Sequence, residues 1–285
     1  MAFHACLNRM WPRAKKRFSQ NFLKDPRILA KIVESAEIQP GERVLEIGPG
    51  TGELTQVLVQ AGARVLAIEL DKDLIPALLK RFGSTIDLKE GDIFGAIPNT
   101  SPARVQTFSG EVSLSDGVYK IVSNIPYAIT SLILERFLSA PPRPSSLVLT
   151  LQREVADRMM AVPPKMSLLS VVCQLYAEVH RVTRVPKGAF VPVPRVDSVV
   201  VHMDMRKDVC PEEIEPVIAF ARQGFSARRK QLHHNLRGWK GLESGRVKEM
   251  LIQMKLDPCV RAENLAPIQW RELYERWVLE FSGNP

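Results

Sequence analysis

The sequence predicts an α/β protein: a doubly wound, mostly parallel sheet with an antiparallel end, followed by a small all-helical domain. Three observations lead there. From residue 43 onward, short β-branched apolar runs alternate with stretches of helical periodicity, the pattern of successive βα units. Residues 179–185 and 198–203 read as a strand pair separated by the Pro-rich run FVPVPRVD, an antiparallel end to the sheet. Beyond Arg206 the apolar positions recur only at helical spacing.

The first 24 residues form a basic arm, with Arg9, Arg13, Lys15, Lys16, Arg17 and Lys24 and no acid. Residues 27–38 follow with Ile28, Leu29, Ile32 and Val33 on one helical face, stopped by Pro40-Gly41. A buried strand at 43–47 then leads through a glycine loop, 48–52, to a helix at 53–60. A second strand and helix follow at 64–70 and 71–82, and further strands at 86–89, 119–123 and 146–151, the latter two preceding helices. The stretch 92–120, rich in Pro, Ser and Thr, reads as a surface loop with some hairpin character. The helical end is carried by Ile214, Val217, Ile218 and Ala221, by Val247, Met250, Leu251 and Met254, and by Trp270, Leu273, Trp277 and Phe281. The expected domains are therefore the arm at 1–24, the sheet domain at 25–206 and the helical domain at 207–285.

Of 285 residues, 45% are hydrophobic and 25% charged, an ordinary soluble composition. No apolar run approaches the roughly 18 residues of a membrane span, and the opening MAFHACLNRMW is too polar for a signal-peptide core, so a cytoplasmic location is expected. Cys6, Cys173, Cys210 and Cys259 are scattered, with neither a Cys-x-x-Cys pair nor clustered histidines. Free thiols and no metal site are expected. The net charge of +8 is concentrated in two acid-free stretches, the arm and residues 216–242, the latter with Arg222, Arg228, Arg229, Lys230, Arg237 and Lys240. Concentrated cations of this kind suit nucleic-acid phosphates, although a solvated helix face has the same composition.

Two motifs carry chemistry. The loop Gly48-Pro49-Gly50-Thr51-Gly52, between strand and helix, lets a ligand approach the backbone, and Glu69 near the end of the next strand can take two ribose hydroxyls. Dinucleotide enzymes share that pair, but the Gly-x-Gly-x-Gly spacing favours S-adenosylmethionine, which has no pyrophosphate to seat on the helix N-terminus. Asp92, just past the third strand, can accept a hydrogen bond from the adenine amine of that cofactor. The second motif is Asn124-Ile125-Pro126-Tyr127. An aryl amine is a poor nucleophile, and two acceptors, the Asn124 side-chain oxygen and the Pro126 carbonyl, can orient it while Tyr127 stacks on the base. Alone, these four residues also read as a strand-ending turn.

The chain resembles the KsgA family of ribosomal RNA adenine dimethyltransferases over nearly its full length. The resemblance rests on KRFSQNFLKD (16–25), VLEIGPGTGELT (44–55), AIELD (67–71), NIPY (124–127), QREVADR (152–158), FVPVPRVDSVVV (190–201) and FSARRKQLHHNL (225–236). It implies a Rossmann-like S-adenosylmethionine-dependent methyltransferase sheet, with Asn21, Leu23, Gly48, Gly50, Glu69, Asp92 and Asn124 around the cofactor. It also implies that Asn124, Pro126, Tyr127 and Phe190 form the target site, Tyr127 and Phe190 sandwiching an adenine. A Phe beside prolines is, by itself, more often a packing residue. Lys16, Arg17, Arg228, Arg229 and Lys230 are the expected RNA contacts. The implied reaction is dimethylation of N6 on two adjacent adenosines in a hairpin loop near the 3′ end of small-subunit rRNA. The enzyme is expected to act as a monomer on an assembling small ribosomal subunit. A large-subunit rRNA methyltransferase of the antibiotic-resistance type and a non-catalytic nucleic-acid-binding factor are the alternatives. Met166-Ser167-Leu168 departs from the family, which has Tyr-Gly-Arg there.

Overall fold

A computed structural model describes Lys15 and residues 20–99, 103–115 and 117–281. It divides into two compact units, one reaching to Ala156 and resuming at His180–Met205, the other comprising Asp157–Val179 and the chain from Arg206 onward.

The first unit is built on a seven-stranded sheet. In chain order its elements are β1 (Phe22–Leu23), α1 (Pro26–Ser35), β2 (Arg43–Ile47), α2 (Glu53–Gln60), β3 (Arg64–Glu69), α3 (Ile75–Phe82), β4 (Asp87–Glu90) and α4 (Ile93–Ala96). There follow β5 (Arg104–Gln106), β6 (Glu111–Ser113), β7 (Tyr119–Ser123), α5 (Thr130–Ser139) and β8 (Ser146–Gln152). After α6 (Arg153–Met159) and α7 (Leu168–Tyr176) come β9 (Ala177–Val185), β10 (Phe190–Val191) and β11 (Ser198–Met205). The strand order is β4-β3-β2-β7-β8-β11-β9. The pairs β3/β4, β2/β3, β2/β7 and β7/β8 are parallel and β8/β11 is antiparallel.

This order reverses at β2: the chain runs outward through β3 and β4, then crosses back to place β7 on the other side of β2. The crevice at the carboxyl ends of β2 and β7 is therefore the topological switch point, where open α/β sheets bind ligands. The inner strands are buried on both faces, with Val44, Leu45, Leu66, Ala67, Ile121, Val122, Leu147 and Val148 at most 1% exposed. That explains why they read as unbroken apolar runs rather than alternating ones. Helix α1 starts where Asp25 accepts the Arg27 N–H and Pro26 occupies the first turn, and it buries Ile28, Leu29, Ile32 and Val33.

Two expectations need correction. The segment 92–120 does contain the expected hairpin, β5/β6, but it is more than a surface loop: it also carries α4 and buries Ile97, Ala103, Val105, Val112 and Leu114. The Phe108 N–H at its tip donates to Leu88 O of β4, the edge strand of the sheet, giving one of that edge's polar groups a partner. The boundary at 206/207 is also incomplete, since residues 157–179 fold with the helical unit.

That second unit contains α7 together with α8 (Pro211–Gly224), α9 (Leu232–Leu236), α10 (Ser244–Gln253) and α11 (Pro267–Phe281). Helix α7 belongs here because its residues are tied here. The Tyr176 hydroxyl donates to Glu215 at 2.7 Å, and the Gln174 side-chain amide donates to the carbonyls of Met159 and Ala161. In the departing segment, buried Met166 donates its N–H to Glu263 O, and Ser167 caps α7 in a reciprocal box with Ser170. These residues therefore have a structural job. The core is aromatic: the Phe220 ring meets Trp239, Trp270, Tyr274 and Trp277 at centroid distances of 5.7–6.3 Å.

Candidate active site

The switch-point crevice opens into a cavity of about 330 Å³, lined among others by Asn21, Gly48, Glu69, Asp92, Asn124 and Tyr127. Residues expected to hold the cofactor and residues expected to hold the base thus line one space; Leu23, Gly50 and Pro126 line it as well.

The floor is the glycine loop after β2. Gly50 sits at φ +59°, and a Cβ there would lie 2.8 Å from Cδ1 of Phe22. Only glycine meets both constraints without strain. Glu69, at the end of β3, is 5% exposed and holds this loop in shape. One carboxylate oxygen accepts the Gly50 N–H at 3.0 Å and the other accepts the Asp71 N–H at 2.8 Å. Burial raises its pKa, and the backbone N–H groups oppose that rise. The two carboxylate oxygens together have four lone pairs, so the group keeps accepting capacity for a ligand hydroxyl. Asp92 caps α4 through Oδ1, which accepts the Phe94 N–H at 3.1 Å, leaving Oδ2 for a further donor. The donor set fits the ribose and adenine of S-adenosylmethionine: a paired-oxygen acceptor at one strand end and a single acceptor at the next.

Beneath the loop lies Glu46, which sequence reasoning passes over as part of a strand. It is 2% exposed, accepts the Thr55 hydroxyl at 2.7 Å, and its pKa is pushed up to about 8, first by burial, with Glu69 and Glu53 adding repulsion.

The corner after β7 lines the same cavity. Ser123 donates to Ile47 O at 2.6 Å, tying β7 to β2 just ahead of both motifs. Asn124 Nδ2 donates to Asn21 O at 3.0 Å, which commits the amide nitrogen and leaves Oδ1 as the acceptor. The Pro126 carbonyl accepts the Ile129 N–H at 3.1 Å, closing the short helical turn 127–129, and keeps its second lone pair. The Tyr127 hydroxyl lies 2.6 Å from the Ser198 hydroxyl.

The segment before α1 straps the cavity. Lys15 pairs with Asp71 and Asp73, Gln20 donates to Asp71 at 2.9 Å, and Lys24 donates to Thr51 at 2.8 Å and pairs with Glu53. These anchors are invisible as pattern, because a basic run says nothing of which acids it will meet.

Phe190 departs from expectation. It is 1% exposed, pairs through its backbone with Leu23 where β10 meets β1, and packs in the hydrophobic core of the first unit. It does not line the cavity, so in this conformation it forms no sandwich with Tyr127: apolar burial outweighs display of the ring. Of the expected RNA contacts, Lys16 and Arg17 lie outside the described residues. Arg228, Arg229 and Lys230 are exposed on the turn between α8 and α9. Among the described residues no cluster of His, Cys, Asp or Glu could hold a metal, and no helix is long and apolar enough to cross a membrane.

Comparison with known proteins agrees with this geometry. Residues 12–277 match the family described as Ribosomal RNA adenine dimethylase. A protein of Dehalococcoides mccartyi (strain CBDB1), named Ribosomal RNA small subunit methyltransferase A, is 36% identical over 96% of this chain and 90% of its own length. One of the same name from Synechococcus elongatus is 40% identical over 90% of this chain and 92% of its own. Among solved structures, the 23S rRNA methyltransferase ErmE superposes with a TM-score of 0.71 at 26% identity, covering 90% of this chain and 99% of that one. A dimethyladenosine transferase from Plasmodium falciparum superposes with a TM-score of 0.69 at 26% identity, covering 92% and 97%. A match of this breadth makes the chain a member of the ribosomal RNA adenine dimethylase family, whose members are S-adenosylmethionine-dependent methyltransferases.

Proposed function

We propose that this enzyme transfers methyl groups from S-adenosylmethionine to N6 of two adjacent adenosines in a hairpin loop near the 3′ end of small-subunit rRNA, acting on an assembling small subunit. The observation that carries the chemistry is the orientation of Asn124. Nδ2 is committed to Asn21 O, which leaves Oδ1 as an acceptor, and Asn124 and Pro126 line the same cavity as Gly48, Glu69 and Asp92.

S-adenosylmethionine supplies an electrophilic methyl group when bound. The two acceptors take the hydrogens of N6 and turn its lone pair out of conjugation with the ring, toward the methyl carbon. With the cofactor bound, the N–C bond would form as its carbon–sulfur bond breaks, and the acidic methylated ammonium would release its proton to water. No general base is required, so the rate comes from orientation and proximity. An unpaired loop adenine costs at most a few kcal/mol to extrude.

The small subunit is favoured over the large by the relatives that share 36–40% of their residues with this chain and are named for it. The likeness to ErmE raises the large subunit as the second reading. Asn124→Ala tests the chemistry: turnover is expected to fall about 10²–10³-fold, the usual loss for one oriented hydrogen-bonding group, with cofactor affinity measurable by calorimetry. Near-normal turnover would remove Asn124 from the reaction.

A further inference from the structure

The base-stacking Tyr127 is a ring at the start of a short helical turn, and a ring so placed needs something to hold its plane. It is half-buried, and burial raises its pKa, so its hydroxyl stays protonated and acts as a hydrogen-bonding handle. That handle meets one side chain, the hydroxyl of Ser198, at 2.6 Å.

Ser198 is fully buried at the first position of β11, opposite Gln152 of β8, and so sits on the rigid sheet rather than on a loop. It also closes the segment 191–197, which exposes Val191, Val193 and Val196. The neighbouring Asp197 clips that segment at its base: its carboxylate accepts the Lys187 N–H at 3.0 Å, and its carbonyl accepts the Arg153 N–H at 3.1 Å. The Tyr127–Ser198 hydrogen bond therefore joins the NIPY corner to the end of an anchored, apolar-tipped loop 71 residues later in the chain.

We infer that Ser198 is a positioning residue for the methyl transfer: its hydroxyl fixes the plane of the Tyr127 ring, so that a stacked adenine presents N6 to Asn124 and Pro126. This rests on the reading of Tyr127 as the base platform. Ser198 touches neither base nor cofactor; it acts through the tyrosine.

The test is a double-mutant cycle on the full chain with small ribosomal subunits lacking the modification as substrate. Ser198→Ala and Tyr127→Phe are each expected to lower kcat/KM for the RNA substrate about five- to tenfold, the scale of one net hydrogen bond. The KM for S-adenosylmethionine should stay within about twofold, and the double variant should be no worse than either single one. Thermal unfolding of all three variants accompanies the kinetics, because general damage would raise the cofactor KM as well. Wild-type kcat/KM in Ser198→Ala, losses that multiply in the double variant, or an equal loss toward the cofactor would each overturn the inference. If the unaltered chain moves no methyl to small subunits, the functional reading and this inference fall together. If it does, while Ser198→Ala matches it, only the inference falls.

Discussion

The surround of the cavity and the aromatic cluster of the helical unit treat polar groups in opposite ways. Around the cavity of the sheet unit the polar side chains are bonded: buried Glu69 to backbone N–H groups, buried Glu46 to Thr55, buried Ser123 to Ile47 O, and half-buried Asn124 to Asn21 O. In the helical unit, the indole N–H groups of Trp239 and Trp270 are buried without a hydrogen-bond partner, within an aromatic cluster that fills the core. An unmade hydrogen bond costs about 1–3 kcal/mol, tolerable where the surrounding ring burial is worth more. At a site it is not tolerable, because there each polar group must point one way to recognise a ligand. The first unit reads as a site supported by its scaffold, and the second as a scaffold that presents exposed cations.

The strongest way to break this contrast is Trp270→Ala. Trp270 is fully buried, and its ring fills the space where a Cβ on Gly224 would fall, 2.3 Å from Cη2. Its removal should cost about 3–5 kcal/mol in a denaturant melt, with cofactor affinity unchanged. A parallel fall in cofactor affinity would show that the site depends on the helical core.

Glu46→Gln tests the opposite unit. The folded pKa of Glu46, about 8, stands above its ordinary carboxylate value, so folding favours the protonated form. Its contribution to stability is complete below about pH 4.5 and disappears as pH rises through about 8, a change of a few kcal/mol. The wild type should lose more thermal stability between pH 5 and pH 9 than Glu46→Gln, which is neutral throughout. Parallel curves would mean that Glu46 is ionised in the fold.

Glu69→Gln replaces an acceptor facing two N–H donors by an amide that satisfies only one. Cofactor affinity, measured by calorimetry, should fall about ten- to a hundredfold, the scale of a charge-assisted hydrogen bond. Unchanged affinity would leave Glu69 as a loop brace alone. The smallest effect concerns the exposed turn: replacing Arg228, Arg229 and Lys230 by Ala should flatten the salt dependence of RNA affinity, by up to roughly 0.7–0.9 in log–log slope for each phosphate that is no longer neutralised. Cofactor affinity should not change, and an unaltered slope would take this turn out of the RNA interface.

The contrast also explains what is legible in the chain. The glycine loop, Glu69 and the NIPY corner are local in sequence, and each implies its own geometry, so the sheet, the cavity and the cofactor are readable. Phe190 is not: whether a ring beside prolines faces a cavity or a core depends on β10 pairing with β1, some 167 residues earlier. Lys15, Gln20 and Ser198 are invisible for the same reason, since their partners Asp71 and Tyr127 lie 51–71 residues away. The helical periodicity beyond Arg206 is plain, but a periodic face does not name its neighbour. The hydrogen bonds from Tyr176 to Glu215 and from the Met166 N–H to Glu263 O show that α7 and the segment before it belong with those later helices rather than with the sheet.

The most direct test is transfer of labelled methyl from S-adenosylmethionine to small and large ribosomal subunits that lack the modification, with mass analysis of the released adenosines. N6,N6-dimethyladenosine is expected in the small-subunit rRNA alone. Label confined to the large subunit, or absent from both, would contradict the proposed function.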